Sequence, residues 1–473
     1  MYLASSQDAQ RQPKTPKGAF GREEAVKPQG IAQGPSAPSA RPETTSRGTG
    51  TETLLEQMLE RHNMLEALKR VEANGGAPGI DGMETKDLRP YLRENWEQIR
   101  SELLAGTYKP MPVRRVEIPK PDGGGTRLLG IPTCLDRLLQ QALLQVLTPI
   151  FDPHFSEWSF GFRQGRRAHD AVRAAQRFIR EGYTWVVDMD LAQFFDRVNH
   201  DILMARVARK VADERVLLLI RRYLEAGVMI GGVKVQTEEG TPQGGPLSPL
   251  LANILLDDLD KELEQRGHRF ARYADDNNIY VRSKRAGERV FQSVKYFLET
   301  RLKLKVNEAK SAVDRPWKRK FLGFSFYNSK NGPRIRLAPK TVQRLQKTLK
   351  ALTKRSRSMS MAERIRQLNS YLGGWMGYFA LADAKELLRG MDEWLRRRLR
   401  QILWKKWKRP KTRRRELRRL GLKEQTAREI AGTRKGYWRT AATPQLHKAL
   451  GLAYWRDQGL VGLLERYERY RRA

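Results

Sequence analysis

Nine residues, Arg272-Tyr273-Ala274-Asp275-Asp276-Asn277-Asn278-Ile279-Tyr280, constrain this chain more than any other stretch. Apolar and aromatic residues flank four short polar ones. That pattern reads as a strand, a tight turn and a second strand, because Asn and Asp tolerate the positive φ of a hairpin turn. Two adjacent carboxylates at a hairpin tip repel each other and need a cation to stay ionised together. Mg²⁺ suits the position, since it takes one or two carboxylates and fills its remaining sites with phosphate and water. Alone, the stretch reads equally well as a polar turn. The segments upstream separate the two readings.

Charge points to a partner. Lys and Arg total 90 against 53 Asp and Glu, a formal net charge of +37 over 473 residues. Such an excess calls for a polyanion. The basic residues thicken towards the C-terminus, and 10 Trp, 15 Tyr and 15 Phe supply stacking surfaces among them, as single-stranded nucleic-acid binders use. One cysteine, Cys134, excludes a disulfide framework or a thiolate zinc site. None of the six histidines has metal-ligand spacing. No apolar run is long enough to cross a membrane, and Asp8, Glu23 and Glu24 fit a transit peptide poorly. A soluble, intracellular protein is expected.

Residues 1–51 are rich in Pro, Ser, Thr, Gln and Gly and are expected to be a disordered tail. An N-terminal extension follows over 52–110, with an apolar helical stripe from Leu54 to Leu68 and a Gly-rich loop at Gly75–Gly82. Val113–Pro119 and Thr126–Pro132 read as a hairpin around Lys120-Pro121-Asp122-Gly123-Gly124-Gly125. Lys120 and Arg127 can converge across that turn, which suits a triphosphate. Trp185–Met189 is an apolar strand, and alternation sets Asp188 and Asp190 on one face. Residues 201–226 are expected to be helical. Gly240–Pro249 is a rigid loop opening another helix. From about Pro339 the chain turns into long basic helices. Between Leu395 and Arg419, 14 of 25 residues are Lys or Arg, which reads as a nucleic-acid surface rather than a core.

Asp190 on one strand, with Asp275 and Asp276 on a hairpin, supplies the parts of a two-metal nucleotidyl-transfer site. Two Mg²⁺ ions about 3.5–4 Å apart would activate a primer 3′-hydroxyl and stabilise leaving pyrophosphate. Phe195, five residues after Asp190, could sit under the sugar and exclude a 2′-hydroxyl.

In this order the segments resemble a reverse transcriptase, and more narrowly the reverse transcriptase/maturase encoded by bacterial group II introns, above all the compact class C type. The resemblance rests on Gly79-Ile80-Asp81-Gly82, Ile118-Pro119-Lys120-Pro121, Leu129-Gly130-Ile131-Pro132, Ser159-Phe160-Gly161-Phe162-Arg163 and Phe194-Phe195-Asp196. It continues through Pro242-Gln243-Gly244-Gly245-Pro246-Leu247-Ser248-Pro249, Tyr273-Ala274-Asp275-Asp276 and Phe321-Leu322-Gly323-Phe324. It implies an α+β right-hand polymerase: fingers and palm over 111–335, a helical thumb over 336–405, and a basic helical DNA- and RNA-binding region over 406–473. It implies Asp190, Asp275, Asp276 and the Leu191 carbonyl as ligands of two Mg²⁺. Lys120, Arg127, Phe195, Gln243 and Lys310 would border the nucleotide, with Lys310 as proton donor. Tyr273, Arg163 and Gly244 would lie along primer and template. Asp188 matches no catalytic position and is expected to be a hydrogen-bonded core carboxylate.

The partners so implied are group II intron RNA, an RNA template with a DNA primer, target DNA and dNTPs, in an enzyme coupled to splicing and retrohoming. Gln164 stands where many relatives have Pro, and Asp122 lengthens the first hairpin. Without Cys pairs, and with His447 as the only late histidine, no endonuclease domain is expected. A domesticated relative in defence or repair, and a maturase that binds RNA without polymerising, are the alternatives. The intact carboxylates argue against the second.

Overall fold

The apolar stripe that opens at Leu54 forms two helices, α1 (Leu54–Leu59) and α2 (Arg61–Asn74), followed by α3 (Leu88–Leu104). Leu54, Leu55, Met58 and Ala67 are fully buried. The structure, a computed structural model, describes residues 53–119, 125–230, 233–235, 239–241 and 244–472. The expected disordered tail at 1–51, Lys120 and Gln243 lie outside them.

Strands β1 (Val113–Pro119) and β2 (Thr126–Ile131) pair antiparallel, with Ile118 opposite Arg127. Helix α4 (Cys134–Phe151) follows, its first turn capped by the Thr133 hydroxyl, which accepts from the Asp136 N–H. Next come α5 (Ala168–Arg180) and β3 (Trp185–Met189). The stretch expected to be helical over 201–226 forms two helices, α6 (His200–Val207) and α7 (Glu214–Glu225). Asp213 divides them, because its carboxylate accepts from the Arg215 N–H and starts a new helix. Short strands β4 (Val228–Ile230) and β5 (Val233–Val235) complete a sheet of order β2-β1-β4-β5.

Helix α8 (Ser248–Gln265) leads into β6 (Arg269–Tyr273) and β7 (Asp276–Val281), then α9 (Lys284–Arg301) and β8 (Ala312–Asp314). The second sheet has the order β6-β7-β3-β8, antiparallel throughout. It is covered on both faces. On one, α9 comes so close that a Cβ at Gly287 would meet Val313 at 2.5 Å. On the other, Phe178 of α5 packs on Tyr280, ring centroids 5.7 Å apart. A strand buried on both faces is apolar throughout, so each polar side chain in it needs a reason.

A last hairpin, β9 (Phe324–Ser329) and β10 (Gly332–Leu337), precedes the helices α10 (Pro339–Leu352), α11 (Met361–Phe379) and α12 (Lys385–Lys406). Six short helices end the chain: α13 (Pro410–Arg419), α14 (Glu424–Ala431), α15 (Tyr437–Thr440), α16 (Pro444–Ala449), α17 (Leu452–Asp457) and α18 (Leu463–Arg472). They share one hydrophobic core with α10–α12, β9–β10 and α5. Asp392 of α12 starts α18 by accepting from the Leu463 and Leu464 N–H groups at 2.8 and 2.9 Å. This corrects the reading of 395–419 as surface alone. Leu395, Leu399 and Leu403 form an i, i+4, i+8 stripe, and Trp404 is 1% exposed in the same core. The cations occupy the remaining faces. Among the described residues no helix is long and apolar enough to cross a membrane.

Candidate active site

The hairpin at 272–280 forms, with a different turn from the one expected. Its loop is Ala274-Asp275, and the left-handed residue is Ala274, at φ 60°. Asn277 and Asn278 belong to β7 and are buried. An alanine holds this conformation only when its surroundings over-determine it. Two features do so. Gly161 lies against the turn so closely that a Cβ there would come 2.2 Å from the Ala274 nitrogen. Arg272, with no exposed surface, donates from Nη1 to the Ala274 carbonyl at 3.0 Å.

The rest of the Arg272 guanidinium is spent below the turn. Nε donates to Asp260 at 2.8 Å, Nη2 to the Ser159 hydroxyl at 2.8 Å and Nη1 to the Asn253 side-chain oxygen at 3.0 Å. Asn253 in turn donates to the Gly161 carbonyl at 2.9 Å. One buried network therefore joins α8, β6, the 159–163 loop and the turn. The sequence reading missed it. Its signal was an arginine at an inward strand position, beside Phe270 and Ala271.

The carboxylates meet at one end of the sheet. Met189 pairs with Asn277 and Asp188 with Asn278, so the next step of the register brings Asp190 opposite Asp276. Asp190 is fixed through its backbone: its N–H donates to the Ser311 hydroxyl at 2.9 Å and its carbonyl accepts from the Asn307 N–H at 2.8 Å. Lys310 brings its ammonium to 3.6 Å from the Asp190 carboxylate. Asp188 has its own partner, Arg319, at 2.6 Å, and is the bonded core carboxylate expected.

Electrostatics mark the cluster as incomplete. Burial, then the carboxylates of Asp188 and Asp275, push Asp276 up to about 7. Burial, then Asp190, raises Asp275, while Arg127 and Arg272 pull it down. Carboxylates crowded in this way hold protons unless a cation replaces them. Asn277, 4% exposed, also keeps Oδ1 and Nδ2 without a partner among the described residues. Among those residues no three acidic, imidazole or thiolate groups close a metal cage by themselves. The donor set therefore fits a hard divalent cation whose shell is completed by phosphate and water.

The other expected site residues fall as follows. Leu191 bridges Val306, next to Asp190. Phe195 is half-buried, edge-on to Phe194 at 5.1 Å, and its carbonyl accepts from the Thr241 N–H at 2.6 Å. Arg127 is exposed on β2 and acts electrostatically on Asp275. Tyr273 ends β6, half-buried. Gly244, at φ 135°, touches β2, where a Cβ would meet the Gly130 carbonyl at 2.7 Å. Arg163 is a correction. Its guanidinium donates to Asp152 at 2.7 Å and to the Ser156 and Ser159 carbonyls at 2.6 and 3.0 Å. Its donors are consumed inside the protein, so it secures the loop instead of reaching a strand. Its neighbour Phe162, which the sequence reading passed over, is 51% exposed with φ 60°. It stands one residue from the glycine under the Ala274-Asp275 turn.

Comparison with known proteins accords with this geometry. Residues 118–326 match the family model described as reverse transcriptase (RNA-dependent DNA polymerase), and residues 342–421 match the group II intron maturase-specific domain. Protein YkfC of Escherichia coli K12 is 34% identical over 300 residues, covering 55% of this chain and 78% of that protein. The group II intron-encoded protein LtrA of Lactococcus lactis subsp. cremoris is 37% identical over 206 residues, 44% of this chain and 34% of LtrA. The chain thus spans about a third of LtrA. A solved partial Cas6-RT-Cas1–Cas2 complex aligns with 55% of this chain and 46% of its own at 27% identity, with a TM-score of 0.35, too low to argue from. With its carboxylate hairpin in an α+β palm and its maturase-specific helices behind, the chain belongs to the group II intron-encoded reverse transcriptases, RNA-dependent DNA polymerases of the right-hand fold.

Proposed function

We propose that this chain extends a DNA primer on an RNA template from dNTPs, and that it holds group II intron RNA to assist its splicing and its return to target DNA. The observation that carries the reading is the meeting of Asp190, Asp275 and Asp276 at one sheet end, beside Lys310. Asp190, Asp275, Asp276 and the Leu191 carbonyl are the groups to hold two Mg²⁺, which when bound activate the primer hydroxyl and stabilise pyrophosphate.

The remaining steps fall to the chain's own residues. Arg127, with Lys120, binds the triphosphate and keeps the reacting phosphorus in line. Lys310, 3.6 Å from Asp190, is near enough to protonate the departing phosphate oxygen. Phe195, pinned by the Thr241 N–H, offers a ring under the sugar that leaves no room for a 2′-hydroxyl. Gln243 and Gly244 border the nucleotide and template, and Tyr273 the primer end. Phe162 presents an exposed ring beside them, suited to stacking on a base.

Primer extension on an RNA template with dNTPs and Mg²⁺ tests this reading. The intact chain is expected to yield full-length cDNA. Asp275→Ala/Asp276→Ala is expected to yield none while keeping its affinity for RNA. No synthesis from either, with salt-sensitive RNA binding retained, would replace a polymerase by a binding-only maturase.

A further inference from the structure

Between α10, α12 and α15 lies an open groove of about 570 Å³ that shares no residue with the palm site. Its walls are the polar faces of two helices whose apolar stripes, Leu345, Leu349 and Leu352 on α10 and Leu395, Leu399 and Leu403 on α12, are buried in the core. On α10, Gln343, Gln346, Lys347 and Lys350 fall at i, i+3, i+4 and i+7; on α12, Trp394, Arg398 and Gln401 fall at i, i+4 and i+7. Stripes with that spacing normally carry the apolar residues that join two helices. Here the stripes carry amides, cations and one indole, and Gln346 of α10 donates to the Met391 sulfur of α12 at 3.7 Å beside them. Trp438 closes one end. Among the described residues no carboxylate lines the groove.

The arginines at its edge are held in place. Arg398 donates to the Thr353 hydroxyl at 2.6 Å and to the Lys350 carbonyl at 3.2 Å, with its guanidinium 5.1 Å from the Trp394 ring centroid. Arg397 donates to the Trp438 carbonyl at 3.1 Å and lies 3.9 Å from that ring's centroid. A cation anchored to carbonyls keeps its full charge and has already lost its rotamer freedom. Stacked guanidinium and indole planes offer a flat polarised face. Lys347 and Lys350 are exposed on the opposite wall.

We propose that this groove binds an unpaired nucleic-acid segment, with a base stacked on Trp394 or Trp438 and its phosphates on Lys347 and Lys350. The inference rests on the reading that the maturase-specific region handles nucleic acid, and adds a defined subsite to it. Three features select this ligand. The volume suits a nucleotide-sized group and is far too small for a duplex. Aromatic faces among cations are how single strands are held irrespective of sequence. The amides of Gln343 and Gln401 can meet base edges, which a solvated basic face would not require. RNA and DNA share this chemistry, so both enter the test.

The full-length protein is first saturated with a hairpin primer–template, which fills the polymerase cleft. A labelled single strand of about ten nucleotides is then titrated in, as RNA and as DNA, and followed by anisotropy. The loaded protein is expected to bind it. Trp394→Ala and Trp438→Ala are each expected to weaken that binding about tenfold, Lys347→Ala/Lys350→Ala is expected to make it less salt-dependent, and Trp394→Phe is expected to retain it. A labelled duplex should bind the loaded protein no better after these changes than before. Tighter binding of RNA than DNA would identify the occupant as RNA, and the reverse as DNA. Failure of both strands to bind the loaded protein, or equal binding by all variants, overturns the proposal. Extension of the loaded hairpin on adding dNTPs reports separately on the polymerase reading, which therefore stands or falls on its own.

Discussion

In the palm, Arg272 is buried against Asp260; in the thumb and C-terminal helices, Arg364 and Arg400 are buried against backbone carbonyls. Arg364 donates to the Leu352 carbonyl, and to that of Arg357 at 3.3 Å. Arg400 donates to the carbonyls of Ala441 at 2.8 Å and Leu450 at 3.4 Å, and meets His447 at 2.9 Å. The Arg272 donors are all met, Arg364 keeps a buried Nε without a partner among the described residues, and only the first arrangement cancels charge. Neutrality under the palm leaves the half-buried carboxylates of Asp190, Asp275 and Asp276 as the acidic groups at that sheet end, an arrangement that suits a cation. Carbonyl anchoring leaves the thumb's positive charge undiminished, which a phosphate backbone rewards. Arg400 stays protonated throughout, since burial, then Arg396 and Arg397, lowers it only to about 10. One chain thus separates a region where the position of a few charges matters from one where their number matters.

The largest expected effect tests that separation directly. Asp190→Asn keeps the shape of the sheet end and removes one negative charge. Extension from a bound primer is expected to fall about a thousandfold, with the dissociation constant for RNA unchanged. If RNA affinity falls in parallel, the palm carboxylates also organise binding and the division of labour is wrong.

Next in size is stability. Arg272→Met strands Asp260 in the core, which costs about 3–5 kcal/mol, read as a lower urea midpoint at unchanged m-value. Adding Asp260→Leu should recover most of that loss, because no charge is left buried alone. Arg400→Met removes a cation that had no buried counter-ion and leaves only neutral groups, two carbonyls and the His447 ring nitrogen, unpaired, at about 1–3 kcal/mol. Equal losses for the two single variants would show that counter-charge is irrelevant to the contrast.

A third carboxylate sharpens the same point by having no arginine at all. Asp136, 1% exposed, accepts from the Tyr108 and Thr133 hydroxyls at 2.9 and 2.8 Å and from the Met111 N–H at 3.2 Å. Those bonds favour the anion, but burial outweighs them and pushes the group up to about 6. A folded-state value above the ordinary one means that the folded protein holds the proton more tightly. The contribution to stability is therefore complete below about pH 4 and is lost as pH rises through 6, to a total of about 3 kcal/mol. Asp136→Asn cannot titrate. Its stability relative to the parent should rise between pH 4 and 6 and level off above, in parallel denaturant titrations. A flat difference would mean that the neutral donors suffice to hold the anion.

These cases also show what was legible beforehand. Asp190, Asp275 and Asp276 could be found because strand alternation and a hairpin are local patterns, carried by neighbours in the chain. The turn's left-handed residue could not, because Ala274 is held by Gly161 and Arg272 from outside the hairpin. Arg163 looked free in a polar loop; its partner Asp152 comes from the preceding helix end, and only the fold brings them together. Trp404 was hidden differently. The stripe Leu395, Leu399, Leu403 was present in the sequence, but the cations around it dominated the average. A count of charge per window loses the one narrow face that is buried, whereas the period does not.

The smallest expected effect belongs to the exposed basic surface on the thumb's side of the comparison, outside the groove at Trp394 and Trp438, where no single cation should matter much. Lys406, Lys408 and Arg409 are exposed at the end of α12 and before α13. Each one that touches a phosphate contributes released counterions, so its loss should flatten the dependence of log affinity on log salt by about 1. Lys406→Ala, Lys408→Ala and Arg409→Ala are each expected to weaken RNA binding a few-fold at low salt, and by less at high salt, where screening has already removed most of the gain. Combined, they should add, because separated charges on a flexible surface share no partner. The extension rate at saturating primer–template should not change. A single substitution that abolished binding, or a triple variant much weaker than the product of the three, would reveal a positioned contact where charge density alone is expected. In that case the distinction between a region of placed charges and a region of counted ones would fail at its basic end.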